Sequence, residues 1–133
     1  MDAGQISECA GLFAHARVLL GDPADGDPPI VDHEGLASVW NSMVQIHEDG
    51  TPRTRHLVAT PIIEESDDGL TATCRSTYTV FQQVVDGPLQ PIITGRYLDR
   101  FESVEGVWRF SERAYLVDLT GDLSDHILGD FSH

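Results

Sequence analysis

Hydrophobic and polar positions along the chain change period from helix-like to strand-like about a third of the way in. Residues 5–13 place Ile6, Cys9, Ala10 and Phe13 on one helical face, which predicts a short helix that must pack to persist. Residues 15–20 suit a short strand, and residues 21–32 form a loop rich in Asp, Pro and Gly. Asp32 is placed as a helix cap with Glu34 in the first turn. Leu36, Val39, Trp40, Met43 and His47 then follow the spacing of an amphipathic helix that ends before Gly50.

From residue 54 the pattern alternates with a period of two. Residues 54–63 predict a strand in which His56 shares a face with Thr54, Val58, Thr60 and Ile62, one imidazole on what otherwise suits the wall of a core. Residues 70–80 place Leu70, Ala72, Cys74, Ser76, Tyr78 and Val80 on one face. Residues 92–101 alternate Ile93, Gly95, Tyr97, Asp99 and Phe101 against Ile92, Thr94, Arg96, Leu98 and Arg100. Glu105-Gly106 reads as a tight hairpin, after which Trp108, Phe110, Glu112, Ala114 and Leu116 are expected inside. A short helix is expected from near Asp122, with Leu123, Ile127 and Leu128 apolar. The order helix, strand, helix, then four hairpin-linked strands predicts one α+β domain over residues 1–133.

Composition narrows the classes of partner. The net charge is −14 and every basic residue is arginine, which argues against nucleic acid or an anionic membrane. A small, neutral, mostly apolar ligand fits best. No apolar run approaches a membrane span and the start lacks the pattern of a secretory signal, so a cytoplasmic protein is expected. Cys9 and Cys74 lie outside metal-ligand spacing and are expected as free thiols. Asp22, Asp25 and Asp27 do not match a calcium loop, and His33-Glu34 lacks the second histidine of a zinc-protease helix because position 37 is alanine. Neither metal nor organic cofactor is called for.

Three segments carry a resemblance: Asp2-Ala3-Gly4 running into Ala10-Gly11-Leu12-Phe13, then Thr51-Pro52-Arg53-Thr54-Arg55-His56, then Gly95-Arg96-Tyr97-Leu98-Asp99-Arg100-Phe101 through Gly106-Val107-Trp108-Arg109-Phe110. In that order they resemble the SnoaL-like branch of the nuclear transport factor 2-like superfamily. The resemblance implies a cone: a curved antiparallel sheet wrapped on helices around a blind apolar pocket, with the family's first helix missing or shortened here. Members range from scytalone dehydratase, ketosteroid isomerase and polyketide cyclases to small subunits of ring-hydroxylating dioxygenases, so the fold does not fix the activity.

The motif likeness is nearest to scytalone dehydratase. It implies His56 as a catalytic histidine, Asp2 as the catalytic aspartate and Tyr97 as a polar substrate contact. Tyr78, Asp99, Trp40, Phe101, Trp108 and Phe110 would then line the pocket. The dehydratase's second histidine would fall near residues 78–81, where this chain has none. The carboxylate beside His56 is left open among Asp2, Asp99 and Glu112, with pairing to an arginine on an adjacent strand the alternative for Asp99. Two functions follow: cofactor-independent lyase or isomerase chemistry on a small aromatic or polyketide-like carbonyl compound, or a non-catalytic binding or assembly module. Epoxide hydrolysis is disfavoured, since no Asp–Arg–Asp set stands at matching positions. A homodimer through the outer sheet face is expected from the same resemblance.

Overall fold

The computed structural model describes residues 1–129. Its elements are α1 (Ile6–Gly11), β1 (Arg17–Leu19), a 3-10 turn (Pro23–Asp25), β2 (Ile30–Val31), α2 (His33–Met43), β3 (Thr54–Glu65), β4 (Thr71–Gln82), β5 (Gln90–Val104) and β6 (Val107–Thr120). The strands form one six-stranded sheet in the order β2-β1-β6-β5-β4-β3. All pairs are antiparallel except β1 with β6. This is the α+β class that the segment order predicts, with the curved, mainly antiparallel sheet that the family resemblance implies.

Local chemistry accounts for most of the element ends. Asp32 caps α2, its Oδ1 accepting from the Gly35 amide at 2.8 Å. The β5–β6 hairpin turns on Glu105 and Gly106, both at positive φ (53° and 81°), as a two-residue turn of this hand requires. The second helix stops at Met43 rather than running on towards Gly50. Val44 bridges Ile127, Gln45 donates its amide to the His126 carbonyl at 2.7 Å, and Leu128 donates to the Met43 carbonyl at 2.6 Å. The C-terminal segment thus claims the backbone groups that another helical turn would have used. That segment is itself a turn, not the expected helix.

Bulges curve the sheet and decide which side chains face inward. Between β3 and β4 the register shifts at Thr60 and Pro61, with Thr60 at a φ of 49°. Ile92 is the extra residue between β4 and β5, and Ser111 and Asp118 are extra on β6 opposite β5. Cross-strand partners share a face, so each bulge inverts the alternation beyond it. The expected inner face of the last strand is corrected accordingly. Trp108 and Phe110 lie on the concave side as expected, but past Ser111 it is Arg113 and Tyr115 that oppose Asp99 and Tyr97. Glu112, Ala114 and Leu116 point to the convex side, where Ala114 and Leu116 pack with Leu19 and Leu98. For the same reason Ile92, expected outside, is buried in the core.

The concave core has two adjoining clusters. Tyr78, Val80, Ile92 and Tyr97 form one, and Phe13, Val18 and Leu36 the other; Tyr115 packs against both. Strand β3 closes the sheet as a free edge, which corrects its reading as a core wall. Thr54 is buried and His56 partly so, but Val58, Ile62 and Ile63 are exposed, because no strand covers them.

Candidate active site

Strand β3 begins in the protected end of the cone, where Thr54 pairs with Gln82 and His56 with Val80 of β4. Asp2 reaches this strand from the N-terminal turn. Its Oδ2 accepts from the His56 amide at 2.8 Å, and its Oδ1 accepts from Thr54 Oγ1 at 2.9 Å and from His56 Nδ1 at 2.5 Å. A terminal residue ordinarily frays, but here three donors hold one carboxylate. Gly4 makes the approach possible: at a φ of 80° it closes a turn onto the Met1 carbonyl, and a Cβ there would collide with the Gly50 carbonyl. Burial acts to raise the Asp2 carboxyl pKa. The bonds from His56 and Thr54, with the His56 charge, outweigh it and hold the group below its ordinary 3.8.

The pair is oriented for proton transfer. With Nδ1–H donating to Asp2, the other ring nitrogen, Nε2, is left to take or give a proton. Both side chains keep access to solvent, at 27% exposure for His56 and 35% for Asp2. Of the three carboxylates open from the sequence, the structure therefore brings only Asp2 to His56. Asp99 is instead held by Arg113 of the adjacent strand, at 2.6 and 2.9 Å in a two-point fork. Glu112 faces the convex side and pairs with Arg17 and Arg100.

Of the remaining candidates, Tyr78 and Tyr97 lie in the packed centre of the cone, whereas Phe101 lines an open cleft and Trp108 is exposed. Tyr97 stacks on Tyr78 with ring centroids 4.3 Å apart, and meets Tyr115 edge-on at 5.6 Å. The Arg113 guanidinium lies 3.9 Å above the Tyr97 ring, with Phe13, Phe110 and Tyr115 also around it. Tyr78 donates its hydroxyl to the Leu116 carbonyl at 2.9 Å, across Gly95, where any side chain would collide with that carbonyl. Burial pushes the Tyr78 phenol up to about 12 and that of Tyr97 further, so both stay protonated donors at neutral pH. Among the described residues the Tyr97 hydroxyl has no hydrogen-bond partner, and no hydrogen bond joins it to His56 or Asp2. Trp40 packs edge-on to Tyr115, Phe101 against Phe110 at 4.6 Å, and Trp108 is 46% exposed.

Open space lies elsewhere than the expected blind pocket. A cleft of about 390 Å³ at the far end of the sheet is lined by Glu64, Glu65, Ser66, Thr71, Ala72, Thr73, Arg100, Phe101 and Ser111. A second, of about 260 Å³, follows the C-terminal turn from Thr120 to Gly129. Neither is lined by His56 or Asp2. Among the described residues no three His, Cys, Asp or Glu side chains are grouped to hold a metal ion, and no helix is long and apolar enough to cross a membrane.

A model of the SnoaL-like domain matches residues 1–114. The chain belongs to the SnoaL-like family. No functionally curated protein matches it in sequence. Solved structures similar to this SnoaL-like chain include Aln2 from Streptomyces, 21% identical over 88% of this chain and 79% of that one, with a TM-score of 0.65. Two others come from Novosphingobium aromaticivorans. The beta subunit of a protein assigned as an aromatic-ring-hydroxylating dioxygenase is 22% identical over 90% of this chain and 80% of that one, TM-score 0.64. A protein assigned as a scytalone dehydratase is 18% identical over 91% and 76%, TM-score 0.63. At these identities the likeness carries the fold and no activity.

Two groups near the site have no signal in the sequence pattern. Gln82, 3% exposed, donates to the carbonyls of Pro52 and Asp125 at 3.1 and 3.0 Å. His126, from the C-terminal turn, is buried close enough to feel the charges of His56, Asp2 and His47. Both depend on a chain end folding back over more than forty residues, which no local periodicity records. Arg113 had a signal in principle: a buried Asp99 demands a cation, and the next strand offers one.

Proposed function

We propose that this SnoaL-like domain performs cofactor-independent acid–base chemistry of the lyase or isomerase type on a small, neutral aromatic or polyketide-like carbonyl compound. One observation carries this: the Asp2 carboxylate fixes His56 through Nδ1, the other ring nitrogen has no hydrogen-bond partner among the described residues, and the side chain is 27% exposed. Asp2 fixes the tautomer and stabilises the imidazolium once His56 has taken a proton from carbon. The protonated ring then returns that proton to the leaving oxygen or to a second carbon. Tyr97, the expected polar substrate contact, stays a neutral phenol but lies stacked on Tyr78 in the packed centre, with no hydrogen bond to His56 or Asp2, and it takes no part in this proposal. Since the centre of the cone is filled, the reaction belongs at its protected mouth, beside the first residues of β3. The overall negative charge favours a neutral substrate and cytoplasmic surroundings suit the absence of any disulfide.

The test is exchange of the α-protons of aromatic ketones with deuterated solvent, followed by NMR for the native chain, His56→Ala and Asp2→Asn. Loss of about 10²-fold or more in His56→Ala supports the reading. Equal exchange and equal binding in all three proteins overturns it.

A second reading has its own support. The interior is occupied by Tyr78, Tyr97, Tyr115 and Arg113, and the dioxygenase beta subunit shares the fold, which suits a non-catalytic assembly or binding module. That reading expects a homodimer through the convex sheet face, where Leu57 and Leu119 are exposed. Sedimentation velocity decides it, with a monomer at all concentrations against it.

A further inference from the structure

The C-terminal turn delivers a side chain that the Asp2–His56 pair does not explain. Residues 123–128 are clamped from three directions. His47 Nε2 donates to the Asp125 carbonyl at 2.8 Å, Gln82 Nε2 donates to the same oxygen at 3.0 Å, and the Gln45 amide donates to the His126 carbonyl at 2.7 Å. This grip fixes His126 inside, at 6% exposure. Its Nδ1 is fully buried and has no hydrogen-bond partner among the described residues. Buried ring nitrogens are ordinarily bonded, so an orphan held this firmly marks a place for a polar group from outside.

The surroundings say which kind of group. The titratable side chains acting on His126 are His56 from β3, Asp2 from the N-terminal turn and His47 from the segment after α2. Burial first, then the His56 charge, lowers the ring from 6.5 to about 4, with Asp2 opposing. At neutral pH His126 is therefore an uncharged imidazole within range of the charges of the Asp2–His56 pair. Such a ring accepts from a hydroxyl or donates to a carbonyl and offers little to a purely apolar surface, and among the described residues no group of His, Cys, Asp and Glu side chains stands by to complete a metal site.

We propose that His126 is the second imidazole of the Asp2–His56 site, offering its unpartnered Nδ1 to a hydroxyl or carbonyl oxygen of the ligand. This rests on the acid–base reading above and adds a contact to it. The tight clamp on residues 123–128 makes that turn part of the site wall, although no catalytic residue was expected so near the C-terminus.

Imidazole nitrogen–proton correlation spectra of the full chain, titrated with acid, test the placement without any ligand. The most acidic histidine is expected to disappear from the spectra of His126→Gln. Its midpoint is expected to rise by about half a pH unit or more in His56→Asn, when the neighbouring charge is gone. A midpoint in the ordinary histidine range, or one unmoved in His56→Asn, overturns the proposal, and this arm does not depend on His126→Gln folding. Hydroxytetralone and its oxygen-free parent tetralin then probe the contact. Hydroxytetralone is expected to shift the His126 Nδ1 signal where tetralin does not, and to bind about tenfold more weakly to His126→Gln. If hydroxytetralone shifts His56 but not His126, the contact falls while the acid–base reading stands. If it shifts neither ring, the contact and the carbonyl substrate class fall together.

Discussion

Removing the Asp99 carboxylate while keeping its shape, Asp99→Asn, leaves the Arg113 guanidinium charged and stranded in the aromatic centre of the cone. The side chains are 4% and 15% exposed, joined at 2.6 and 2.9 Å, and Arg113 lies 3.9 Å over the Tyr97 ring. Burial opposes the charged guanidinium, yet its bonds to Asp99 and Tyr115 hold its pKa above the ordinary arginine value. The group will not neutralise when its partner goes. Breaking such a pair on one side costs about 3–5 kcal/mol, a large share of the roughly 5–15 kcal/mol that holds a domain of this size folded. Arg113→Met is expected to cost a similar amount, with the lost cation–π contact adding about 1 kcal/mol. The double variant Asp99→Leu/Arg113→Met strands no charge and is expected within about 1 kcal/mol of native, or above it. Urea unfolding of the native chain, Asp99→Leu, Arg113→Met and the double variant, followed by the fluorescence of Trp40 beside Tyr115, closes the cycle, with Asp99→Asn measured alongside. Additive losses in the double variant, or single losses below about 1 kcal/mol, would refute the description of a dry, mutually dependent pair.

Two further outcomes follow from particular contacts. His126 titrates at 6.5 when unfolded and at about 4 when folded, so the unfolded chain binds more protons between those values. Stability is full above the upper value and falls as pH drops through the window, by up to about 3 kcal/mol; in His126→Gln the same urea series run from neutral to mildly acid pH should lose most of that slope, and an unchanged slope contradicts the buried neutral ring. Gly95→Ala would drive a methyl into the Leu116 carbonyl and to 2.7 Å from the Tyr78 hydroxyl, breaking the bond between them. A loss above about 2 kcal/mol is expected in thermal unfolding, and an unchanged melting temperature would show that the strands do not approach so closely.

The legible parts of this chain are those where chemistry is local. Asp32 as a cap and Glu105-Gly106 as a hairpin need only neighbours in sequence and stand where the pattern puts them, and the alternation expected from Leu70 to Val80 holds from Ala72 onward, Leu70 itself being exposed ahead of the strand. The pairing of Asp2 with His56 was open from the residues alone and came from family resemblance; the structure supplies its geometry, through Thr54 and the Gly4 turn. Periodicity failed where a residue was inserted into a ladder. One extra residue at Ser111 turned Arg113 and Tyr115 inward and Glu112 outward, and no alternation rule anticipates where such a bulge falls.

The amino-acid order by itself determined the two helices, the four long strands, the α+β class and the acidic, lysine-free composition, because these depend on propensity and composition. Only the closed fold decided which faces became interior and which charged groups met. Those outcomes depend on register between strands far apart in the chain, on an edge left uncovered along β3, and on a C-terminal turn that ends α2 early and buries His126. Contacts of that kind are made by chain closure in three dimensions, and no stretch of a dozen residues contains them.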